Sequence, residues 1–199
     1  MLEKERLKVY YEFSMPGWRN WQTYYLEVVA PQGLRVQVPP RAQFWYNIGM
    51  KNLLAFLRSQ KLVSIASHNT KDVWIANVYF GADEKGTIYF ISSKDSKHSQ
   101  MILKNPKVAF SASWFDLKNN KNRKGIQGLG ICKQADIAES IKGIKLLYKG
   151  FPDLHDILTL EWIKTNAWNT KVWVIKPSYM KYFDDKVYGD DESEEFNFK

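Results

Sequence analysis

The chain holds one cysteine and three histidines in 199 residues, and it has no long apolar run. A single cysteine, Cys132, cannot form a disulfide within the chain, so a cytosolic address is the default expectation. One cysteine with three scattered histidines gives no zinc-ligand spacing. No stretch of eighteen or more apolar residues occurs, so no segment is expected to span a membrane. The N-terminus lacks a charged segment followed by an apolar stretch and a small-residue cleavage site, and no secretory signal is read there. No nucleophile–base spacing and no paired carboxylates stand out. Any reaction carried out here is therefore expected to belong to a cofactor.

Apolar residues make up 45% of the chain and aromatic residues 15%, enough for one packed core and short for two. A net charge of +8 invites a nucleic-acid reading, but the charge is spread out. Its densest point, Lys118 to Lys124, reads as a solvated loop between two strands, so nucleic acid is not the expected partner. The last residues are acidic and are expected to fray: 190–199 form an acidic C-terminal tail.

Residues 1–49 stand apart from the rest. Gly17 to Thr23 (GWRNWQT) and Leu34 to Pro40 (LRVQVPP) resemble a bacterial leucine tRNA gene read through in frame, over roughly residues 17–44. The D-arm and the GTTCAA of the T-arm would supply the two peptides. On this reading Met50 is the start, and 1–49 are a spurious or disordered extension.

From Met50 the pattern becomes that of a folded domain, 50–189. Leu53, Leu54, Phe56 and Leu57 share one face of a helix over Lys51–Gln60. Strands are expected at Lys61–Ala66, Val73–Phe80 and Thr87–Ser92, the last two joined by the Asp83–Gly86 turn. Asp95 or Ser96 caps a helix to about Lys104, which Pro106 ends. Strands follow at Lys107–Phe115 and Gly125–Lys133. Helical periodicity covers Ile137 to Tyr148 and Leu154 to Ile163, and closing strands fall at Val172–Ile175 and Met180–Phe183 around Pro177. Five to seven mostly antiparallel strands with helices at the ends point to a small barrel or α+β domain.

The segment from Asn77 to Ser113 carries the functional signal. A strand leads straight into a helix that opens on Ser96, Lys97 and His98, and a helix N-terminus of this kind is a ready anion site. A cofactor phosphate is the expected ligand. Ser92 and Ser93 are candidate cofactor contacts. Asn77, which interrupts an apolar strand, is another candidate, and so is Gln127, which lies close to Gly125 and Gly128. Trp114, Trp168 and Trp173 read as core or dimer-interface packing, and Cys132 as a buried strand residue with no base to activate it.

The hairpin, the Ser-Lys-His-Ser-Gln-Met101 helix start, the Asn105-Pro106 stop, the Lys124-Gly-Ile-Gln-Gly128 strand and Val172-Trp-Val-Ile-Lys176 together resemble the pyridoxamine 5′-phosphate oxidase-like FMN-binding split barrels. The likeness is closest to their YhbP-like bacterial branch and runs from Met50 to about Gly189. It implies a six-stranded antiparallel split β-barrel with flanking helices. It also implies a homodimer with the flavin at its interface and a small-molecule electron donor or acceptor. Ser96, Lys97 and His98 would then hold the FMN phosphate. The isoalloxazine would lie along Ala76, Asn77, Val78 and Tyr79, with contacts from Ile91 and Ser92 and with Gln127 approaching from the other subunit.

The chain departs from that pattern in three places. Ala76 stands where those oxidases place a phosphate-binding arginine, and His98 replaces a second fixed cation. Their arginine-rich C-terminal motif is also missing, so true pyridoxamine phosphate oxidase activity is not expected. The expected function is that of a flavin-dependent oxidoreductase. The alternative is a non-catalytic flavin- or haem-binding barrel, with His98 the motive for haem.

Overall fold

A computed structural model describes residues 7–11, 24–28, 40–155, 169–189 and 192–198. Most of the helical run expected over Leu154–Ile163 lies outside these residues, as do Trp168 and much of the tRNA-like segment.

In the N-terminal part, β1 (Leu7–Tyr11) and β2 (Tyr24–Val28) pair antiparallel, with Leu7 opposite Val28 and Tyr11 opposite Tyr24. Helix α1 spans Pro40–Ser59, longer at its N-terminus than the expected Lys51–Gln60. Leu53 and Leu57 on its buried face are fully enclosed.

Six antiparallel strands form the barrel: β3 (Leu62–His68), β4 (Val73–Ala82), β5 (Ile88–Ser93), β6 (Lys107–Asp116), β7 (Asn119–Gln134) and β8 (Thr170–Asp184). Their order is β5-β4-β3-β6-β7-β8, and the first half of β8 returns to pair with β5, from Ser93↔Thr170 to Ile88↔Ile175. This is the six-stranded barrel expected above. Helix α2 (Lys97–Lys104) packs beside β3 and β4, and α3 (Ile137–Gly150) crosses β4, β5 and β8. The interior is filled by alternate strand residues, among them Ile65, Phe80, Ile88, Phe90, Ile126, Trp173 and Met180. Each such side chain stabilises the fold by about 1.5–3 kcal/mol relative to exposure.

Three expectations need correction. First, β8 is one strand rather than two. Pro177 sits between the last β5 partner at Ile175 and the first β9 partner at Tyr179, where neither neighbour needs its missing N–H. On the other side the ladder with β7 shifts register between Leu129 and Gly130, and a Cβ on Gly130 would meet the Lys176 carbonyl at 2.6 Å. Second, the acidic end is not frayed throughout. β9 (Glu194–Asn197) adds a seventh strand along the second half of β8, and its Phe196 is wholly buried. Two phenylalanines, Phe196 and Phe198, among acids were too weak a pattern to announce a strand. Third, Lys118–Lys124 is not a loop. Strands β6 and β7 run to a two-residue turn at Leu117–Lys118, with a register shift next to Phe115 and Asp116. Arg123 pairs there with Asp185, and Lys124 with Asp184.

Candidate cofactor site at the N-terminus of α2

The strand β5 ends in Ser92 and Ser93, and four residues later the chain turns into α2. Ser96 caps that helix, as its short hydroxyl side chain favours, accepting a bond from the Ser99 N–H at 3.4 Å. The turn brings three polar side chains together. His98 Nε2 lies 2.8 Å from Ser92 Oγ and 3.2 Å from Ser96 Oγ, and the two hydroxyls are 3.3 Å apart. Ser96 Oγ also reaches the Ser93 carbonyl at 2.9 Å and Ser99 Oγ at 2.8 Å.

His98 is only 9% exposed, with its ring near that of Phe90. Burial holds its pKa below the ordinary histidine value, so the imidazole is neutral at pH 7. It therefore orients two hydroxyls and adds no positive charge of its own. Lys97 supplies the helix start's cation, with its ammonium 4.4 Å from the centre of the Trp74 ring. That contact parks a flexible side chain beside the first turn of α2, whose backbone N–H groups also favour an anion.

The other expected residues occupy different ground. Ile91 is half-buried in β5 opposite Val172, and Val78 packs partly against the core. Ala76 is half-buried opposite Ile65 in β3. Asn77, Tyr79 and Gln127 lie on the outer face of the sheet. There a continuous polar row crosses five strands, Asn77–Ser64–Ser111–Gln127–Lys181, each residue the direct cross-strand neighbour of the next. Ser64 donates to Asn77 Oδ1 at 2.7 Å. A groove of about 430 Å³ runs over the small residues Ser64, Ala66, Ala109 and Ser111, with Ile75, Leu129 and Tyr179 along its sides. Within one chain, then, Ser92, Ser96 and His98 come together with Lys97 turned to Trp74 beside them, while Asn77 and Gln127 belong to a second surface.

Sequence reasoning missed Trp74, Ser64 and Ser111. Trp74 carried a signal in the apolar run Val73–Ala76, whose residues stay at least partly exposed along the whole stretch. The two serines carried none, because only strand register makes them neighbours. Cys132 is buried as expected, with its thiol pushed up to about 12 by desolvation. Trp173 is core, while Trp114 is partly exposed near the β6–β7 turn. Among the described residues no group of three His, Cys, Asp or Glu side chains could hold a metal ion, and no helix is long and apolar enough to cross a membrane.

No family model matches this chain. A UPF0306 protein of Campylobacter jejuni is 28% identical over 105 residues, spanning 51% of this chain and 72% of the relative. Among solved structures, a heme binding protein from Mycobacterium smegmatis superposes with a TM-score of 0.60 at 10% identity, over 75% of this chain and 57% of that one. A Listeria innocua protein assigned as a pyridoxamine 5′-phosphate oxidase superposes with a TM-score of 0.51 at 15% identity, over 67% of this chain and 97% of that one. At these identities the likeness establishes the split-barrel fold.

Proposed function

We propose that this chain is an FMN-binding split-barrel protein acting as a flavin-dependent oxidoreductase, with a small-molecule electron donor or acceptor and a homodimeric assembly. The observation that carries the reading is the convergence of the Ser92, Ser96 and His98 side chains at the first turn of α2, with Lys97 the neighbouring cation. The donor set suits a phosphate monoester: one ammonium, two hydroxyls and the N–H groups that open the helix, beside a neutral imidazole that contacts both hydroxyls. Lys97 would hold the phosphate by charge, and Ser92 and Ser96 would hold it by hydrogen bonds. FMN, when bound, supplies the hydride and electron chemistry, and the chain supplies binding, orientation and exclusion of water.

Haem is the less favoured alternative, because it calls for a histidine free to ligate. His98 Nε2 is engaged by two serines, His68 Nε2 lies 2.9 Å from Asn105 Nδ2, and His155 Nε2 is 2.7 Å from the Tyr148 carbonyl. The test is the visible spectrum of the purified full chain, before and after added FMN, followed by anaerobic NADH or NADPH. A bound flavin bleached by either donor is expected. Flavin that binds but resists every donor would leave a non-catalytic carrier, and a Soret band would transfer the case to haem.

A further inference from the structure

The β6–β7 hairpin outruns the barrel. Strand β6 last pairs with β3 at Ser111↔Ser64, and β7 begins its pairing with β8 only at Lys124↔Asp184. From Phe115 and Arg123 outward, among the described residues, the two strands pair only with each other and close at Leu117–Lys118. A two-stranded ribbon of this kind has no core of its own in which to bury side chains. Its large residues are nevertheless apolar: Leu117 at the apex is 89% exposed, Phe115 58% and Trp114 42%. Val187 is exposed as well, on the short helix Asp185–Tyr188 that Arg123 ties to the ribbon through Asp185.

Positive charge surrounds this apolar tip. Residues 114–124 carry four cations, Lys118, Lys121, Arg123 and Lys124, against one acid, Asp116. The neighbouring acids Asp184 and Asp185 have side chains only 3% exposed, paired to Lys124 and Arg123. Asp116 engages one carboxylate oxygen with the Lys118 N–H at 2.9 Å. Lys186 adds a further exposed cation at the ribbon's base. The end of the molecule is thus apolar at its apex and positive around it.

The shape of the tip indicates which partner it fits. A protein interface buries about 800 Å² on each side over a fitted patch, which a convex two-residue turn does not offer. A nucleic-acid strand stacks on aromatic faces along a row of cations, whereas the apex here is an aliphatic leucine. A bilayer that carries anionic lipid matches every part. Its acyl region takes Leu117 and Phe115, its interface takes the indole of Trp114, and its headgroups take the surrounding lysines and arginine. Lys118, next to Leu117, has the long stem that lets an ammonium stay among the headgroups. We propose that the β6–β7 hairpin docks this protein on an anionic lipid surface, with Leu117 leading. Docking requires no flavin, so vesicle binding and FMN binding are read independently.

The test is flotation of the full chain with vesicles of phosphatidylcholine alone or with about 30% phosphatidylglycerol, whose negative surface potential attracts basic segments. One tip is a weak, reversible anchor, so binding half-complete at about 0.1–1 mM lipid is expected on the anionic vesicles, and none on the neutral ones. Raising the salt from about 0.1 to about 1 M, which shrinks the Debye length from about 10 to about 3 Å, should release the protein. Leu117→Asp should weaken binding about tenfold or more, and Lys118→Glu about twentyfold, since each unit of charge near the surface changes binding about fivefold. Both side chains stand in solvent, so the circular dichroism of these variants should be unchanged. Ile137→Asp charges an isoleucine that is 83% exposed at the other end of β7, and this variant should bind as the native chain does. Equal binding to neutral vesicles, binding that survives Leu117→Asp, or an equal loss with Ile137→Asp would overturn the proposal. A native chain that floats with no vesicle up to about 10 mM lipid would also overturn it, whether or not it binds a single-stranded oligonucleotide instead.

Discussion

Replacing Lys97 by methionine removes one charge at the proposed phosphate site and keeps most of the aliphatic stem that lies against Trp74. The ammonium's charge-assisted bond to a phosphate is worth about 1.5–3 kcal/mol. To make that bond Lys97 must leave the Trp74 ring, giving up about 0.5–1 kcal/mol for a cation–π contact at an exposed site. The net loss is about 1–2 kcal/mol, so FMN should bind about 5–30-fold more weakly to Lys97→Met. Riboflavin, which has the same ring and no phosphate, should bind both proteins equally. Fluorescence titration of the two flavins against the two proteins measures this directly. Equal weakening of both flavins, or of neither, would show that Lys97 does not meet a phosphate and would refute the assignment.

Asp83 accepts from the Lys85 and Thr87 N–H groups in the β4–β5 turn and pairs with Lys142 of α3, so Asp83→Ala should cost about 2–4 kcal/mol in urea unfolding. Burial pulls the Asp83 carboxyl upward, but Lys142 and the two N–H groups outweigh it and hold it below its ordinary value of 3.8. The stability it contributes is therefore present above about pH 4 and should be lost as the pH falls through the lower folded value; a loss setting in near neutral pH would contradict this. Phe196→Ala should destabilise the fold by about 3–5 kcal/mol, and a cost under about 1 kcal/mol would mean that β9 is not part of the core. Deleting residues 1–49 tests whether the folded unit starts at Met50. It removes the Tyr46 ring packed 5.3 Å from Phe196 and the Gly49 backbone against the Glu194 carboxylate, so a lower melting temperature is expected and an unchanged one would support the later start. Cys132 should resist alkylation in the native protein and react only on unfolding.

Much of the barrel was legible because its strands alternate and its turns are punctuated by Asp83, Gly86, Asn105 and Pro106. What stayed hidden depends on pairing rather than on local pattern. The strand β8 reads as two because Pro177 breaks a propensity, and only the gap between β5 and β9 makes that residue harmless. The strand β9 is masked by its own charge, although Phe196 anchors it.

The candidate site was half legible. A helix start following a strand placed Ser96, Lys97 and His98 together. Nothing in their spacing, however, told that His98 would turn inward to Ser92 and lose its charge to burial. The polar row across the outer face is invisible in sequence, because its members are scattered from Ser64 to Lys181 and meet only through register.

The central claim is that the first turn of α2 holds an anionic cofactor. Backbone amide chemical-shift mapping during FMN titration of the full chain tests it most directly. The account predicts the largest shifts at Lys97, His98 and Ser99 with a second set at Ser92, and with inorganic phosphate a smaller response at the same amides. Shifts confined to the outer sheet face, or no response anywhere at millimolar FMN, would contradict it.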